Sequence, residues 1–224
     1  MRIPYAPSEP PAGSDTSTTK IYNRIAARRR PRPLIPLDLA LLHTPPVADG
    51  YNSFVGALRT KTIVPQSLLE LAICRIAVVN DAVYEWNAHA PLALKAGLPT
   101  SVLQYAREVS VTELTRAATD RLAGKEVDSD VKEALEKSGA GEVELAVLLY
   151  TDEMTVSVKV KDETFDALKK AFEGEEAERR IVELTAVVAG YNGVSRILVS
   201  LDVGENNAKA MKSVQEIEDE LTAK

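Results

Sequence analysis

The sequence contains only one cysteine, Cys74, and two histidines in 224 residues. A single cysteine excludes an internal disulfide bond, so the fold does not depend on an oxidising compartment. No apolar run reaches the roughly 18–20 residues that a membrane-spanning helix needs. The N-terminus also lacks the hydrophobic segment of a secretory signal peptide. We therefore expect a cytoplasmic protein.

The chain has no excess of basic charge either. Its formal net charge is −6, with an isoelectric point near 5.2, which argues against general nucleic-acid binding. The content of 45% hydrophobic and 27% charged residues is typical of a soluble globular protein. The length suits one well-buried domain, or one domain with arms.

Three segments differ in composition. Residues 1–34 are rich in proline and arginine and are predicted to form a flexible N-terminal arm. Residues 35–203 are predicted to form a helical domain, and residues 204–224 an exposed, charged C-terminal helix. Five arginines between positions 24 and 32 allow the arm to be a phosphate- or nucleic-acid-binding segment. However, no aromatic residues are interleaved there to stack on bases.

Almost everything after Pro36 has the periodicity of helices, so we predict an all-α fold. Pro45-Pro46 should stop a first short helix, Asp81 should cap the helix that follows it, and Gly97 should end that helix. The run 155–160 alternates like a strand, but a single strand without a partner is improbable. The predicted helices cover about 37–42, 48–59, 65–79, 82–96, 99–107, 112–123, 129–137, 141–157, 162–172, 175–201 and 207–224.

Charged side chains interrupt the most apolar part of the chain. Glu70 and Arg75 lie within a helix that is otherwise apolar on every face, and such a helix is buried. Glu85 and His89 follow one turn apart on the next helix, so they share a face. A buried carboxylate must find a partner or hold a proton. The spacing therefore predicts a proton-transfer site built from Glu70, Glu85 and His89.

These residues belong to motifs that resemble the carboxymuconolactone decarboxylase / alkylhydroperoxidase D superfamily. The resemblance covers about residues 35–203 and implies a compact helical bundle of the alkylhydroperoxidase D-like type. It also implies a homo-oligomer (a dimer, trimer or hexamer) with active sites near subunit contacts. The motifs are Glu70-Leu-Ala-Ile-x-Arg75, Tyr84-Glu-Trp-x-x-His89, Ala96-Gly-Leu98, Tyr191-Asn-x-x-Ser-Arg196 and the segment from Leu41 to Tyr51.

One departure from the peroxidase branch of that superfamily is informative. The peroxidases carry a Cys-x-x-Cys pair between the glutamate and the histidine, and here the corresponding positions are Ala82 and Glu85. Thiol exchange needs both an attacking and a resolving thiol. The only cysteine, Cys74, lies among isoleucine and valine, where burial suppresses thiol reactivity. The pattern disfavours a peroxidase-type antioxidant protein and indicates acid–base chemistry.

The sequence therefore predicts a cofactor-independent lyase or isomerase of the decarboxylase-like branch, with no metal or redox cofactor. The substrate would be a small carboxylated lactone, an enone or a related organic acid, including a specialised metabolite. Glu70, Glu85 and His89 are the predicted catalytic residues. The candidate substrate-binding residues are Arg75, Tyr84, Trp86, His43 and Arg196.

Each candidate also has a structural interpretation. Arg75 is better suited to be the counter-ion of a buried carboxylate than a substrate clamp, and Tyr84 and Trp86 are better suited to pack in the core than to stack on a substrate. His43 is equally suited to cap its own helix. The alternative for the whole protein is a non-catalytic helical oligomer, in which a buried Glu/Arg/His network fixes the packing. A cavity against Glu85 and His89 would favour the enzyme.

Overall fold

The computed structural model describes residues 1–223, which contain twelve α-helices and no β-strand. The prediction of an all-α protein is therefore confirmed. The helices are α1 (Thr16–Arg29), α2 (Pro36–Leu41), α3 (Pro45–Thr60), α4 (Gln66–Val79), α5 (Val83–Lys95), α6 (Thr100–Glu108), α7 (Val111–Leu122), α8 (Ser129–Ser138), α9 (Glu142–Val156), α10 (Asp162–Ala171), α11 (Ala177–Leu201) and α12 (Val214–Thr222).

The chain folds into two units, and the first comprises Met1–Thr62 with Ile197–Ala208. Its boundaries differ from the predicted ones, because the segment expected to be a flexible arm contains α1 and is joined to α2. The Asp15 side chain caps α1 by accepting a hydrogen bond from the Thr18 amide. Two hydrogen bonds of 2.7 and 2.8 Å then link the Arg29 guanidinium to the fully buried Asp38 carboxylate.

The second unit comprises Ile63–Arg196 and residues from Lys209 onward, and α4 is its central helix. Residues 68–77 of α4 are all buried, as predicted for a helix that is apolar on every face. Helix α4 packs against α5, α6 and α9. Helix α9 is buried from Leu145 to Glu153. The second unit therefore has two neighbouring helices with almost no exposed face.

A tight reversal between α4 and α5 brings their side chains together. The prediction that Asp81 caps α5 is wrong, because the N-terminal cap is Ala82, which has no capping side chain. Asp81 instead adopts the left-handed conformation, with φ of 51°, which aspartate tolerates better than most residues. The Ala82 amide closes the turn on the Ala77 carbonyl at 2.8 Å. At the other end of α5, Gly97 is left-handed as predicted, with φ of 88°.

Other helix boundaries differ from the predicted ones for local reasons. Pro45 occupies the first turn of α3, where its missing amide hydrogen costs nothing. Helix α7 begins at Val111, one residue before the predicted start, because Ser110 and Glu113 form a reciprocal capping box. The run 155–160 forms no strand, since α9 continues to Val156.

Helix α11 is both long and apolar. By length and hydropathy it is the one helix within residues 1–223 that could cross a membrane. The buried helices of protein cores pass the same test, and 44% of its most apolar window is buried. This observation is weak support for a membrane span.

Candidate functional site

The candidate site is centred on a hydrogen bond between α4 and α5. His89 Nδ1 lies 2.7 Å from Glu70 Oε2, and both residues are buried, with 8% and 4% of their surface exposed. The two helices pack antiparallel across the short Asn80–Ala82 turn, which places their buried faces against each other. Because Nδ1 is engaged by Glu70, Nε2 is the ring nitrogen left for a substrate.

Glu85 lies on the same helix as His89, but it is not part of this hydrogen bond. Its residue exposure is 1%, and both carboxyl oxygens are buried without a hydrogen-bond partner in residues 1–223. No hydrogen bond therefore joins Glu85 to His89, although the two residues lie one turn apart on α5. Burial raises the pKa of Glu85 well above its ordinary value, and the neighbouring charge of Glu70 raises it further. Both effects favour the protonated, neutral form of the Glu85 carboxyl.

Cys74 is the third ionisable group near the two glutamates. It lies one turn after Glu70 on α4 and is completely buried. Burial raises the pKa of the Cys74 thiol, and the charges of Glu70 and Glu85 raise it further. A thiol in this setting stays protonated and unreactive, which agrees with the prediction that Cys74 is a core residue.

The sequence analysis missed Tyr191 as a member of the site. This residue of α11 is 2% exposed, and its ring meets the His89 ring edge-on, with centroids 5.0 Å apart and planes at 84°. An edge-to-face contact of this kind fixes the orientation of both rings. The signal was the Tyr191-Asn192 pair within an apolar helix, which we had used only as part of a motif.

A polar cluster next to Tyr191 holds three helices of the second unit in register. Asn80 Nδ2, at the end of α4, donates to Asn192 Oδ1 at 3.1 Å and to Ser195 Oγ at 2.8 Å. Asn192 Nδ2 in turn donates to Thr155 Oγ1 on α9 at 2.9 Å. These bonds connect α4, α9 and α11, and so they position the helices that carry Glu70 and Tyr191.

Two of the candidate substrate-binding residues have structural partners. The Arg75 guanidinium binds both carboxylate oxygens of Asp152 at 2.7 and 2.6 Å. It also donates to the carbonyls of Ala106 and Val109, and only 1% of Arg75 is exposed. These contacts correspond to the counter-ion interpretation of Arg75. Trp86 is fully buried, and its Nε1 donates to the Lys212 carbonyl at 2.9 Å, which corresponds to the packing interpretation.

The remaining candidates occupy different settings. Tyr84 is half-buried on α5. Arg196 is exposed on α11, and its Nη1 donates to the backbone carbonyl and side chain of Asn192. His43 belongs to the first unit, and its Nε2 lies 2.7 Å from the Pro4 carbonyl oxygen. Within residues 1–223, the Arg196 guanidinium forms no hydrogen bond or ion pair with Glu70, Glu85 or His89.

Two pockets of about 500 and 600 Å³ lie elsewhere on the second unit, and neither is lined by Glu70, Glu85 or His89. Within residues 1–223, no group of three or more His, Cys, Asp or Glu side chains could hold a metal ion. His89 and Glu70 each keep a small exposed edge, 8% and 4% of their surface.

No family model matches this chain, and no curated protein or solved structure is significantly similar to it. The functional argument therefore depends on the motifs and on the geometry of the site.

Proposed function

We propose that this protein is a cofactor-independent acid–base lyase or isomerase of the carboxymuconolactone decarboxylase-like type. One observation carries the proposal: a buried, unpartnered Glu85 carboxyl accompanies a hydrogen-bonded Glu70–His89 pair. A carboxyl whose burial favours its protonated form thus lies one turn from an imidazole that is oriented by a second carboxyl. A titratable group with a raised pKa beside a hydrogen-bonded Glu–His pair is typical of acid–base sites.

The geometry gives each residue a distinct role. His89, oriented by Glu70 through Nδ1, acts as the base through Nε2, because its other nitrogen is engaged. Glu85, protonated because it is buried, acts as the general acid. Tyr191 orients the imidazole but does not transfer a proton. General acid–base catalysis of this kind typically contributes on the order of 10²–10⁴-fold to a rate.

The substrate class follows from the charge movement that this pair supports. In decarboxylation of a carboxylated lactone, the C–C bond to the carboxylate breaks, carbon dioxide leaves, and the electron pair moves into the conjugated carbonyl. Glu85 then gives its proton to the enolate-like product and takes up another proton before the next turnover. An enone isomerisation uses the same two groups, with His89 removing the proton that Glu85 replaces.

A purely structural role is the alternative, because neither pocket is lined by these residues. The state of Glu85 argues against it. A structural network stabilises a fold only when its polar members are paired, and an unpartnered buried carboxyl costs on the order of 1–3 kcal/mol. The superfamily type and the homo-oligomer remain part of the proposal, with the half-buried Tyr84 and the exposed Arg196 as its candidates for substrate binding.

The test is a screen of small carboxylated lactones and enones for carbon dioxide release and for solvent deuterium incorporation. We expect Glu85→Gln and His89→Ala each to lower turnover by about 10²-fold or more. Cys74→Ser is the control and should retain most activity. Loss of turnover in Cys74→Ser with Glu85→Gln unaffected would contradict the acid–base role. Full activity in both Glu85→Gln and His89→Ala would establish the structural alternative.

A further inference from the structure

The charges that act within the buried acid–base group are of one sign. Glu70 and Glu85 are 4% and 1% exposed and lie on the neighbouring helices α4 and α5. The charge of Glu70 raises the pKa of Glu85, and both glutamates raise the pKa of the fully buried Cys74 thiol. No cation among residues 1–223 opposes either effect. A negatively charged group that enters this site therefore meets repulsion where the dielectric constant is low.

The side chains that share a helix face with Glu70, Glu85 and His89 are small, uncharged and fully buried. They are Cys74 and Ala77 on α4, Ala82 at the N-terminal cap of α5, and Ala93 on α5. Residues three, four or seven positions apart lie on the same face of a helix. These faces therefore offer a substrate apolar contacts and no positive charge.

The arginine of α4 is directed away from the acid–base group and is already paired. Arg75 follows Glu70 by five residues, which places it about 140° around the helix. Its guanidinium donates to both carboxylate oxygens of Asp152 and to the carbonyls of Ala106 and Val109, over distances of 2.6–2.8 Å. A substrate carboxylate could bind Arg75 only by displacing these partners.

The arginine of α11 is directed away from the site in the same manner. Tyr191 contacts the His89 ring edge-on, and Arg196 follows Tyr191 by five residues, again about 140° around the helix. Arg196 is exposed, and its Nη1 donates to the Asn192 carbonyl at 2.8 Å. Arg196 can therefore contact a substrate at the surface of the protein, but its charge does not act on Glu85.

We propose that the acid–base group acts on an uncharged substrate, a β,γ-unsaturated ketone or lactone without a carboxylate, and moves its double bond into conjugation with the carbonyl. The role of isomerase rests on the acid–base function proposed above and narrows it, because decarboxylation requires a carboxylated substrate. Within residues 63–196 and 209–223, a substrate carboxylate finds no unpaired cation beside Glu85. An uncharged carbonyl compound needs none and can pack against the small apolar side chains of these faces.

The reaction balances without a co-reactant. His89 Nε2 removes a proton from the carbon between the carbonyl and the double bond, and the electron pair of that C–H bond forms the new double bond. The electrons of the old double bond take the proton that the Glu85 carboxyl gives to the far carbon. Because one proton leaves as another arrives, little negative charge builds up on the substrate. Loss of a proton from His89 to solvent and uptake of one by Glu85 restore both groups.

The test uses one cyclic β,γ-unsaturated ketone that carries a ring carboxyl group, supplied as the free acid and as its methyl ester. The two compounds have nearly the same shape and differ in charge. Formation of the conjugated enone is followed by its ultraviolet absorbance. We expect kcat/KM for the ester to exceed that for the acid by about tenfold or more, because the carboxylate of the acid is repelled and has no counter-ion.

A charge-removing variant tests whether the repulsion is local. Glu70→Gln should narrow the ratio of the two kcat/KM values several-fold, whatever its effect on turnover itself. The matched control is Glu178→Gln, which removes the same charge from an exposed position in the first turn of α11 and should keep the wild-type ratio. An equal narrowing in both variants would attribute the preference to net charge and overturn the proposal.

The remaining outcomes separate the uncharged substrate from the acid–base function. Turnover of the free acid at least as efficient as that of the ester would overturn the uncharged substrate and leave the acid–base function in place. Release of carbon dioxide from a carboxylated lactone of the screen would do the same. Turnover of no ketone, enone or lactone, charged or uncharged, would overturn both.

Discussion

His89 Nδ1 lies 2.7 Å from Glu70 Oε2 in the interface between α4 and α5. This hydrogen bond fixes which imidazole nitrogen is available, because the carboxylate holds a proton on Nδ1 and leaves Nε2 as the basic atom. Tyr191 supports the same orientation from α11 by its edge-on contact. Glu85 completes the group as a buried acid that neither residue pairs with.

The pH dependence of turnover should separate the two roles. Turnover should fall as pH rises through the raised pKa of Glu85, because the general acid then loses its proton. Glu85→Gln should remove the falling limb from whatever activity remains, because the amide does not titrate. Steady-state rates on the substrate found in the screen, measured across the pH range, check this. If the fall in turnover at high pH persists in Glu85→Gln, that fall must come from the ionisation of another group.

Glu85 should also make stability depend on pH. Its pKa is raised by folding, so the folded state binds the proton more tightly than the unfolded state. Its contribution is fully present below the unfolded-state pKa, about 4.3, and is lost as pH rises through the folded-state pKa. Glu85→Gln lacks this loss and should become progressively more stable than the wild type as pH rises. Urea denaturation at several pH values measures the difference, and parallel curves for the two proteins would disprove the shift.

The Arg75–Asp152 pair should be structural. Both side chains are 1% exposed, so Arg75→Met leaves a buried carboxylate without its partner and should cost about 3–5 kcal/mol in the free energy of unfolding. The control is Arg179→Met, which breaks a partly exposed pair with Glu183 and should cost about 1 kcal/mol or less. Similar losses in the free energy of unfolding of the two variants would mean that the buried pair stabilises the fold no more than the partly exposed pair does.

The protein should be a homo-oligomer in solution. Large apolar side chains are exposed in both units, including Val47 and Phe54 on α3 (53% and 49%) and Val158 and Val182 (82% and 66%) in the second unit. We expect a partner subunit to cover some of these side chains, since apolar side chains that group into one patch mark subunit contacts. Light scattering at micromolar concentration should return a multiple of the 24.3 kDa chain mass. A monomer would contradict the prediction. It would also contradict the oligomeric state that the superfamily resemblance implies.

The sequence predicted the helices better than it predicted their ends. The apolar run around Glu70 identified a buried helix, because no other arrangement satisfies a sequence that is apolar on every face. The reversal at Asp81 was misjudged, since an aspartate before a helix suits both a cap and a left-handed turn. The arm was expected to be flexible because its composition gives no sign that Asp38 will bind Arg29.

Within the site, spacing predicted which residues share a face but not which atoms pair. Glu85 and His89 are one turn apart, yet His89 bonds to Glu70 on the facing helix. That choice depends on the packing angle between α4 and α5, which no spacing encodes. Asp152, the counter-ion of Arg75, lies 77 positions away in the sequence. Tyr191 lies even further along the chain from His89, whose ring it contacts. Partners so far apart in sequence become visible only when the helices are placed.

The central claim is that Glu85 is held protonated beside the Glu70–His89 pair, and the most direct measurement is its own titration. Carbon-13 NMR of protein labelled at the glutamate carboxyl carbon, followed between about pH 4 and pH 9, identifies its signal by comparison with Glu85→Gln. The account predicts a Glu85 carboxyl that stays protonated through neutral pH, with an apparent pKa well above the ordinary value of about 4.3. A Glu85 signal that titrates at that ordinary value would contradict it.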